Sequence, residues 1–225
     1  MGTISLNRGG FLQGAVASDF ESAGTATSSS NVFDNNTSAQ ANAIQYFKSS
    51  GRGGGTFRFT RTFLHFDTSS VSGGSNFVLN IPGTTNAEAN VLGIKHTAGS
   101  SNGSAIVSND FDNLVRGTVY FSSTSWSTGS NAITLAAAAA NDIINNNDFN
   151  ICLIGVEDDG DYGEDAIEGE SGDIDRGIDF SGTINITFTD PVSGYTHKVN
   201  TVASANIGKV NTVATANIGK INTVD

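Results

Sequence analysis

The chain has 225 residues, of which 37% are hydrophobic and only 15% are charged, and it contains 27 glycines. Its 22 acidic residues outnumber 11 lysines and arginines, so the formal net charge is −11, which argues against binding to a nucleic-acid backbone. A chain of this length can bury one sizeable core. Turn-forming residues mixed with β-branched and aromatic residues favour an all-β fold.

The sequence of the amino-terminal quarter of the chain indicates few helices or strands. Residues 1–55 are rich in Gly, Ala, Ser, Thr and Asn, and 28–31 and 49–55 are predicted loops. We therefore assign 1–19 to an N-terminal arm, which could be a strand or an arm exchanged with a neighbouring copy. The sandwich domain is placed at 20–192, and 193–225 form a tail.

Short runs of alternating apolar and aromatic residues predict strands further along the chain. The predicted strands are 56–66, 77–81, 90–96, 105–107, 117–121, 149–156 and 183–188. Pro82 and Gly83 are predicted to separate two of them. In the first strand, Phe57 and Phe59 fall on one face, whereas Arg58 and Arg61 depart from the strict alternation, which predicts a bulge or a change of register.

One short helix is predicted where Leu135 is followed by five alanines, because alanine is the strongest helix former. Thr134 is its predicted N-cap. Many short strands with a single helix predict an all-β, jelly-roll-like β-sandwich with one short helix and a repetitive C-terminal tail.

The tail repeats itself. Lys198–Gly208 is followed by a nearly identical copy at Lys209–Gly219, and a third copy begins at Lys220, so the period is 11 residues. Wound as a helix, this period gives about 3.67 residues per turn and suits a right-handed bundle of three or more chains. The β-branched residues and Gly208 favour an extended interchain β form instead, and a disordered linker is a third alternative. The predicted oligomerisation residues are Val199, Val202, Asn206, Ile207, Val210, Val213, Asn217, Ile218, Ile221 and Val224.

Ten acidic residues lie between Glu157 and Asp175, interleaved with glycines. Carboxylates on such a loop can wrap a hard cation, and calcium prefers oxygen ligands of this kind. A solvated acidic loop is the simpler alternative. The candidate calcium ligands are Asp158, Asp159, Asp161 and Asp165; no other cofactor is predicted.

The remaining chemistry-bearing residues do not predict an enzyme. The 3 histidines are dispersed, and no order of Ser, His and Asp suggests a nucleophile. Cys152 is the single cysteine, so no intramolecular disulfide can form, and its apolar surroundings predict a buried, inert thiol. No apolar stretch reaches the roughly 18 residues of a membrane span, and none predicts a signal peptide.

Three segments resemble proteins of tailed bacteriophages, especially marine ones. Residues 61–71 are similar to the R-x-F-L-x-F-D-x-S-S-I strand and turn of jelly-roll modules in secreted and phage surface proteins. Residues 151–162 resemble an I-x-L-I-E-x-D-x-D-Y stretch, although Gly155 stands where that pattern often has an acidic residue. The K-V-N-x-V-A-x-A-N-I repeat, together with residues 184–195, resembles appendage and virion structural proteins.

This resemblance implies a non-enzymatic structural protein of a phage particle or appendage: a tail fibre, head fibre or decoration protein. It would be a homo-oligomer, a trimer or larger, in contact with other virion proteins. It would be made in the host cytoplasm, reside in the virion and become extracellular after release. One alternative is a carbohydrate-binding or adhesion module that stacks a surface glycan on Trp126 and Tyr120, although a core role suits Trp126 better. The other is a subunit of an extracellular filament.

Overall fold

The computed structural model describes residues 1–18, 20–34, 39–51, 54–87, 91–99, 104–123, 126–155, 174–191, 209–210 and 213–214. The chain divides into two compact units, Met1–Thr189 and Asp190–Asp225. The predicted start of the tail at residue 193 lies close to this division.

The first unit is built almost entirely of antiparallel strands. They are β1 Gly2–Ser5, β2 Arg8–Gly14, β3 Ser29–Phe33, β4 Ala39–Gly51, β5 Gly54–Asp67, β6 Ser75–Ala87, β7 Val91–His96, β8 Leu114–Ser123, β9 Gly129–Thr134, β10 Asp148–Gly155, β11 Ile174–Ser181 and β12 Asn185–Thr189. The helices are α1 Phe20–Gly24, α2 Ala137–Asn145 and a 3-10 helix at Ser108–Asp110.

A single hydrogen-bonded network joins the strands in the order β1-β12-β6-β11-β4-β5-β10-β7-β8, with β2 also on β5, β3 on β2, and β9 on β6. The network folds over, because strands from both of its ends line the same hydrophobic core. This first core contains Ile4, Leu79 and Ile186 from one layer and Phe66 and Ile151 from the other. The predicted all-β sandwich with a short helix is therefore confirmed.

A second core covers the opposite face of the central strands. It contains Phe59 and Phe63 of β5, Ile94 of β7 and Ile154 of β10, packed against α1 and the segment that follows β7. Strands buried on both faces have near-continuous apolar sequences, which explains the unbroken apolar run at 151–154. Cys152 lies in this core and is fully buried, as predicted.

Irregular register marks the places where strands bend. The pairing of β12 with β6 shifts between Thr187 and Thr189, and Asn76 on the facing segment of β6 has a φ of 53°. A bulge of this kind increases local twist and bends the strand. By contrast, the register of β5 is regular within each of its ladders, with β4 over 54–60, with β2 over 60–65 and with β10 over 62–67. The bulge predicted at Arg61 is therefore wrong.

The amino-terminal segment is not an arm, so this prediction is also wrong. Strand β1 pairs with β12, and β2 pairs with β5 within the same chain. The glycines that indicated a loop are positions of close approach: a Cβ on Gly10 would lie 2.4 Å from the Phe33 carbonyl oxygen. Glycine is used here because a side chain would not fit.

Three further local predictions fail because long-range pairing overrides local signals. Pro82 and Gly83 lie inside β6, where Pro82 is paired with Ser130 of β9, instead of separating two strands. Residues 105–107, predicted as a strand, lead into the 3-10 helix, and 29–31, predicted as a loop, belong to β3.

The predicted helix is present as α2, which buries Ala139 and Ile143 against the first core. Its N-cap is Ala136, which makes no side-chain capping bond, and Thr134 is the last residue of β9 instead. Neither described α-helix has the length and apolar character that crossing a membrane requires.

Candidate functional site

The described part of the tail consists of two short paired strands, β13 Lys209–Val210 and β14 Val213–Ala214. They run antiparallel, with Val210 opposite Val213 and Lys209 opposite Ala214. Two of the predicted oligomerisation residues, Val210 and Val213, are therefore paired with each other in the backbone ladder. The other predicted oligomerisation residues lie outside the described residues: Val199, Val202, Asn206, Ile207, Asn217, Ile218, Ile221 and Val224.

The candidate calcium ligands Asp158, Asp159, Asp161 and Asp165 also lie outside the described residues. Within the described ranges, no group of three or more His, Cys, Asp or Glu side chains is arranged to hold a metal ion.

The two aromatic residues considered for glycan stacking belong to the first core. Tyr120 is 1% exposed and Trp126 is 6% exposed. A stacking platform must present a ring face to solvent, so the prediction of Trp126 and Tyr120 as glycan-stacking residues is wrong. The alternative core role of Trp126 is correct.

The Tyr120 hydroxyl reaches the edge of the core and donates a hydrogen bond to Asp142 of α2. Lys95 Nζ of β7 lies 2.9 Å from the same carboxylate oxygen, and Asn146 Nδ2 donates to its other oxygen at 3.2 Å. Burial and the Asp142 carboxylate together raise the pKa of Tyr120. Burial opposes ionisation of Asp142, but the bonds from Tyr120 and Lys95 outweigh it and lower its pKa. This cluster holds α2 on the sandwich.

We expect Asp142→Asn to lower the free energy of unfolding by about 1–3 kcal/mol, since hydrogen bonds to a charged partner are lost. Because the folded pKa of Asp142 is lowered, its contribution is present above its unfolded pKa and disappears as pH falls through the folded value. Urea unfolding at pH 7 measures the cost. Tyr120→Phe is the matched control, since it removes only the hydroxyl. If Asp142→Asn lowers the free energy of unfolding by no more than Tyr120→Phe does, the bond between Lys95 and Asp142 does not contribute to stability as expected.

The segment that resembles the phage and secreted modules forms a corner at the end of β5. Asp67 Oδ1 accepts bonds from the Ser69 backbone N–H at 3.0 Å and the Ser69 hydroxyl at 2.6 Å, which lower the pKa of Asp67. Thr68 donates from its hydroxyl to the Asn146 carbonyl at 2.7 Å. These bonds fix a turn and tie it to the end of α2, so the motif is structural.

Arg61, at the start of the same motif, is fully buried between Phe59 and Phe63 on the second-core face of β5. Its guanidinium donates to the Phe111 and Gly24 carbonyls, both at 2.7 Å, and lies 4.0 Å from the centroid of the Phe111 ring. It therefore connects β5 to α1 and to the segment after the 3-10 helix.

One small cleft has a polar lining, which Arg8, Asp34, His65 and His96 provide. Its cavity volume is about 10 Å³, roughly enough for one water molecule. Arg8 and Asp34 form an ion pair through two guanidinium nitrogens, and Asp34 also accepts the Ile106 backbone N–H at 3.1 Å. His65 bonds Asn150 through Nδ1. The side chains are thus engaged within the fold.

His96 is the deepest group in this cleft. Its Nδ1 accepts the Ala98 backbone N–H at 3.1 Å, and its Nε2 lies 3.2 Å from the Leu64 carbonyl oxygen. A ring that accepts at one nitrogen and donates at the other is neutral. Burial is the main cause that lowers the pKa of His96 to about 4. This histidine is structural at neutral pH.

No protein-family model matches this chain, and no curated protein matches it in sequence.

Proposed function

We propose that this chain is a non-enzymatic structural protein of a bacteriophage particle or appendage, and that copies of it assemble through the repeat tail. The tail repeat carries the proposal. Near-identical copies at 198–208 and 209–219 present the same residues to each neighbouring chain, which suits stacking or pairing. A catalytic site instead needs unlike residues that converge on one point.

The backbone pairing in the second copy supports a β form of this assembly. Val210 lies opposite Val213, and the first and third copies place an aliphatic residue and a valine at the same spacing. Each copy thus has the sequence for the same ladder. An isolated two-strand ladder is marginal in water, so partners from other copies would supply the missing stabilisation.

The structure of the sandwich supports a role as a scaffold. Its central strands are buried on both faces, and the polar side chains of its cleft are engaged in internal bonds. The glycan-binding alternative depended on Trp126 and Tyr120, and their burial removes its support. The proposed place of the protein is the virion, after synthesis in the host cytoplasm, with tail fibre, head fibre and decoration protein as the roles consistent with its resemblance.

The solution mass of the full chain and of a version ending at Tyr195 tests this proposal by light scattering. The truncation keeps Met1–Thr189 intact and removes every repeat copy. We expect the full chain to be trimeric or larger and the truncated chain to be monomeric. Equal masses for the two chains would refute assembly through the tail.

A pair of point variants refines the same test. Val210→Asp introduces a charge at the ladder position paired with Val213, and we expect it to reduce the mass. Ser204→Asp adds the same charge at a position where the copies differ, since residue 215 is threonine, and we expect it to have a smaller effect. Equal effects of the two variants would argue that the added charge matters and that the ladder position does not.

A further inference from the structure

The last strand of the sandwich ends immediately before an aspartate–proline pair. Strand β12 runs to Thr189, and Asp190 and Pro191 follow it outside any helix or strand. Both residues are exposed. The chain has 2 prolines, and the other one, Pro82, follows Ile81 inside β6. The bond between Asp190 and Pro191 is therefore the only Asp–Pro peptide bond in the sequence.

An Asp–Pro bond can be broken by its own aspartate. The side-chain carboxyl oxygen of Asp190 can attack the main-chain carbonyl carbon of the same residue, because this closes a five-membered ring, and a nucleophile held this close reacts far faster than a separate molecule. The leaving group is the nitrogen of Pro191. It belongs to a tertiary amide, so it takes up a proton more readily than the nitrogen of an ordinary peptide bond.

The reaction balances with water as its co-reactant. In acid, Asp190 Oδ adds to the carbonyl carbon, the bond from that carbon to the Pro191 nitrogen breaks, and the nitrogen leaves with a proton as a secondary amine. Water then opens the cyclic anhydride, which gives Asp190 a free side-chain carboxyl and a new carboxyl terminus. Nothing is oxidised or reduced. The products are the chains 1–190 and 191–225.

The fold holds the residues before this bond in place. Strand β12 is paired on both sides, with β1 and with β6, and the buried Phe188 stacks on Phe77 with ring centroids 5.2 Å apart. The second compact unit of the chain begins at Asp190. A cut after Asp190 therefore removes no strand from the sandwich.

The elements beside this bond bring no second acid or base to it. The sequences of β1, β6 and β12 contain no ionisable residue, and neither does the segment 71–74, whose Gly74 lies against Phe188. The charged group that β1 carries is the amino terminus of Met1, next to Gly2, which pairs with Phe188. Attack on the bond therefore depends on the carboxyl group of Asp190 itself.

We propose that the Asp190–Pro191 bond is a self-cleavage site, through which acid releases the repeat tail from the sandwich. Every copy of the repeat lies beyond this bond, from residue 198 onwards. The cleavage follows from the chemistry and the exposure of the bond, so it does not depend on the proposed assembly. Its consequence does: a sandwich that loses the tail leaves the assembly as a monomer.

Intact-mass spectrometry of the full chain measures the cut. The incubation uses the most acidic buffer in which the fluorescence of Trp126 still reports the folded chain, beside a neutral buffer. We expect 1–190 and 191–225 to accumulate in acid at least about tenfold faster than fragments cut after Asp67, an exposed aspartate that threonine follows. No accumulation of these fragments, or accumulation no faster than at Asp67, would overturn the proposal.

Two variants test the roles of the two residues. Asp190→Asn keeps the size of the side chain and removes the nucleophilic carboxyl, whereas Pro191→Ala restores a secondary amide. Each should slow the cut at least about tenfold, and an unchanged rate in either variant would overturn self-cleavage. Both positions are exposed, so neither substitution disturbs the core.

A urea control separates an exposed bond from one that opens only on unfolding. Because Asp190 and Pro191 lie outside the strand ladders, unfolding the chain in urea at the same acidity should leave the rate of the cut within about twofold. A larger increase in urea would show that the fold protects the bond, and the proposal for the folded chain would be wrong.

Light scattering of the cut chain keeps this inference distinct from the proposed function. If the full chain is oligomeric and the bond does not break, self-cleavage is overturned and assembly through the tail stands. If the bond breaks and the sandwich keeps the mass of the oligomer, self-cleavage stands and assembly through the tail is refuted.

Discussion

Arg61→Met is expected to lower the free energy of unfolding by about 3–5 kcal/mol. The substitution removes a buried, hydrogen-bonded cation and leaves its backbone acceptors without their donor. The Arg61 side chain is 0% exposed and donates to two backbone carbonyls at 2.7 Å. Urea unfolding followed by the fluorescence of Trp126, the only tryptophan and one buried in the first core, measures the change.

The reason lies in the partners of Arg61. Replacing a complete buried ion pair with apolar residues can be neutral or stabilising, but the acceptors here are main-chain carbonyls of Gly24 and Phe111. They remain in place after the substitution and lose this donor; an unsatisfied buried acceptor costs about 1–3 kcal/mol, and the bond to Phe111 is buried whereas the bond to Gly24 is half-buried. Methionine also loses the contact with the Phe111 ring. Lysine restores only a point charge, so Arg61→Lys should recover little.

Arg116→Met is the matched control. Arg116 and Arg61 lie 3.6 Å and 3.7 Å from the same Asp112 carboxylate oxygen, but the Arg116 side chain is 33% exposed. Exposed ion pairs contribute about 0–1 kcal/mol. If Arg61→Met lowers the free energy of unfolding by no more than Arg116→Met does, the buried guanidinium is not what connects β5 to α1 and to the Phe111 segment.

Arg61 also shows where sequence reasoning reaches its limit. The alternation of residues predicted strands that overlap β5, β6, β7, β8, β10 and β12, because half-buried and fully buried strands produce clear apolar patterns. The arginines that break this alternation predicted a bulge or a change of register, although Arg61 is fully buried in a regular strand. The acceptors that allow its burial come from residues 24 and 111, and no local pattern reveals them.

Strands β1 to β4 were missed for a related reason. They are rich in glycine and polar residues and are held by pairing with distant strands, such as β2 with β5 and β4 with β11. Strand propensity depends on such neighbours more than on the residues themselves.

The candidate sites divide in the same way. The repeat is visible in the sequence, and it predicted that Val210 and Val213 act together in oligomerisation. Their backbone pairing is not visible in the sequence. Composition does not determine whether Trp126 faces the core. Asp190 and Pro191 are adjacent in the sequence, but only the fold shows that β12 ends just before them and that both are exposed.

Stability is expected to fall by about 3 kcal/mol as the pH is lowered from neutrality to 4, through His96. Its pKa is lowered from 6.5 to about 4 in the folded chain, and each pKa unit corresponds to about 1.4 kcal/mol. Between these values the unfolded chain binds the proton and the folded chain does not. The unfolded state is therefore favoured as pH falls, and the stability of the neutral form is fully present only above pH 6.5.

The neighbours of His96 do not reverse this expectation. His65 lowers the pKa of His96 further, whereas Asp110 and the bonds to Leu64 and Ala98 raise it in part, and burial outweighs them. Arg8 and Asp34, which line the same cleft, are paired with each other. The carboxylates of Asp67 and Asp142 have lowered pKa values. The stability that they contribute is therefore lost only at a more acidic pH than the pH at which the effect of His96 begins.

Two measurements isolate the contribution of His96. The first is the free energy of unfolding against pH for the native chain and for His96→Gln, whose amide can still donate to the Leu64 carbonyl. We expect the native curve to fall between pH 6.5 and 4 and the variant curve to be flatter there, whatever its absolute stability. The second is an NMR titration of the 3 histidines, which does not depend on the variant folding. A His96 ring that titrates near 6.5 in the folded chain would show that its burial does not exclude the charged form, and the predicted loss of stability would not occur.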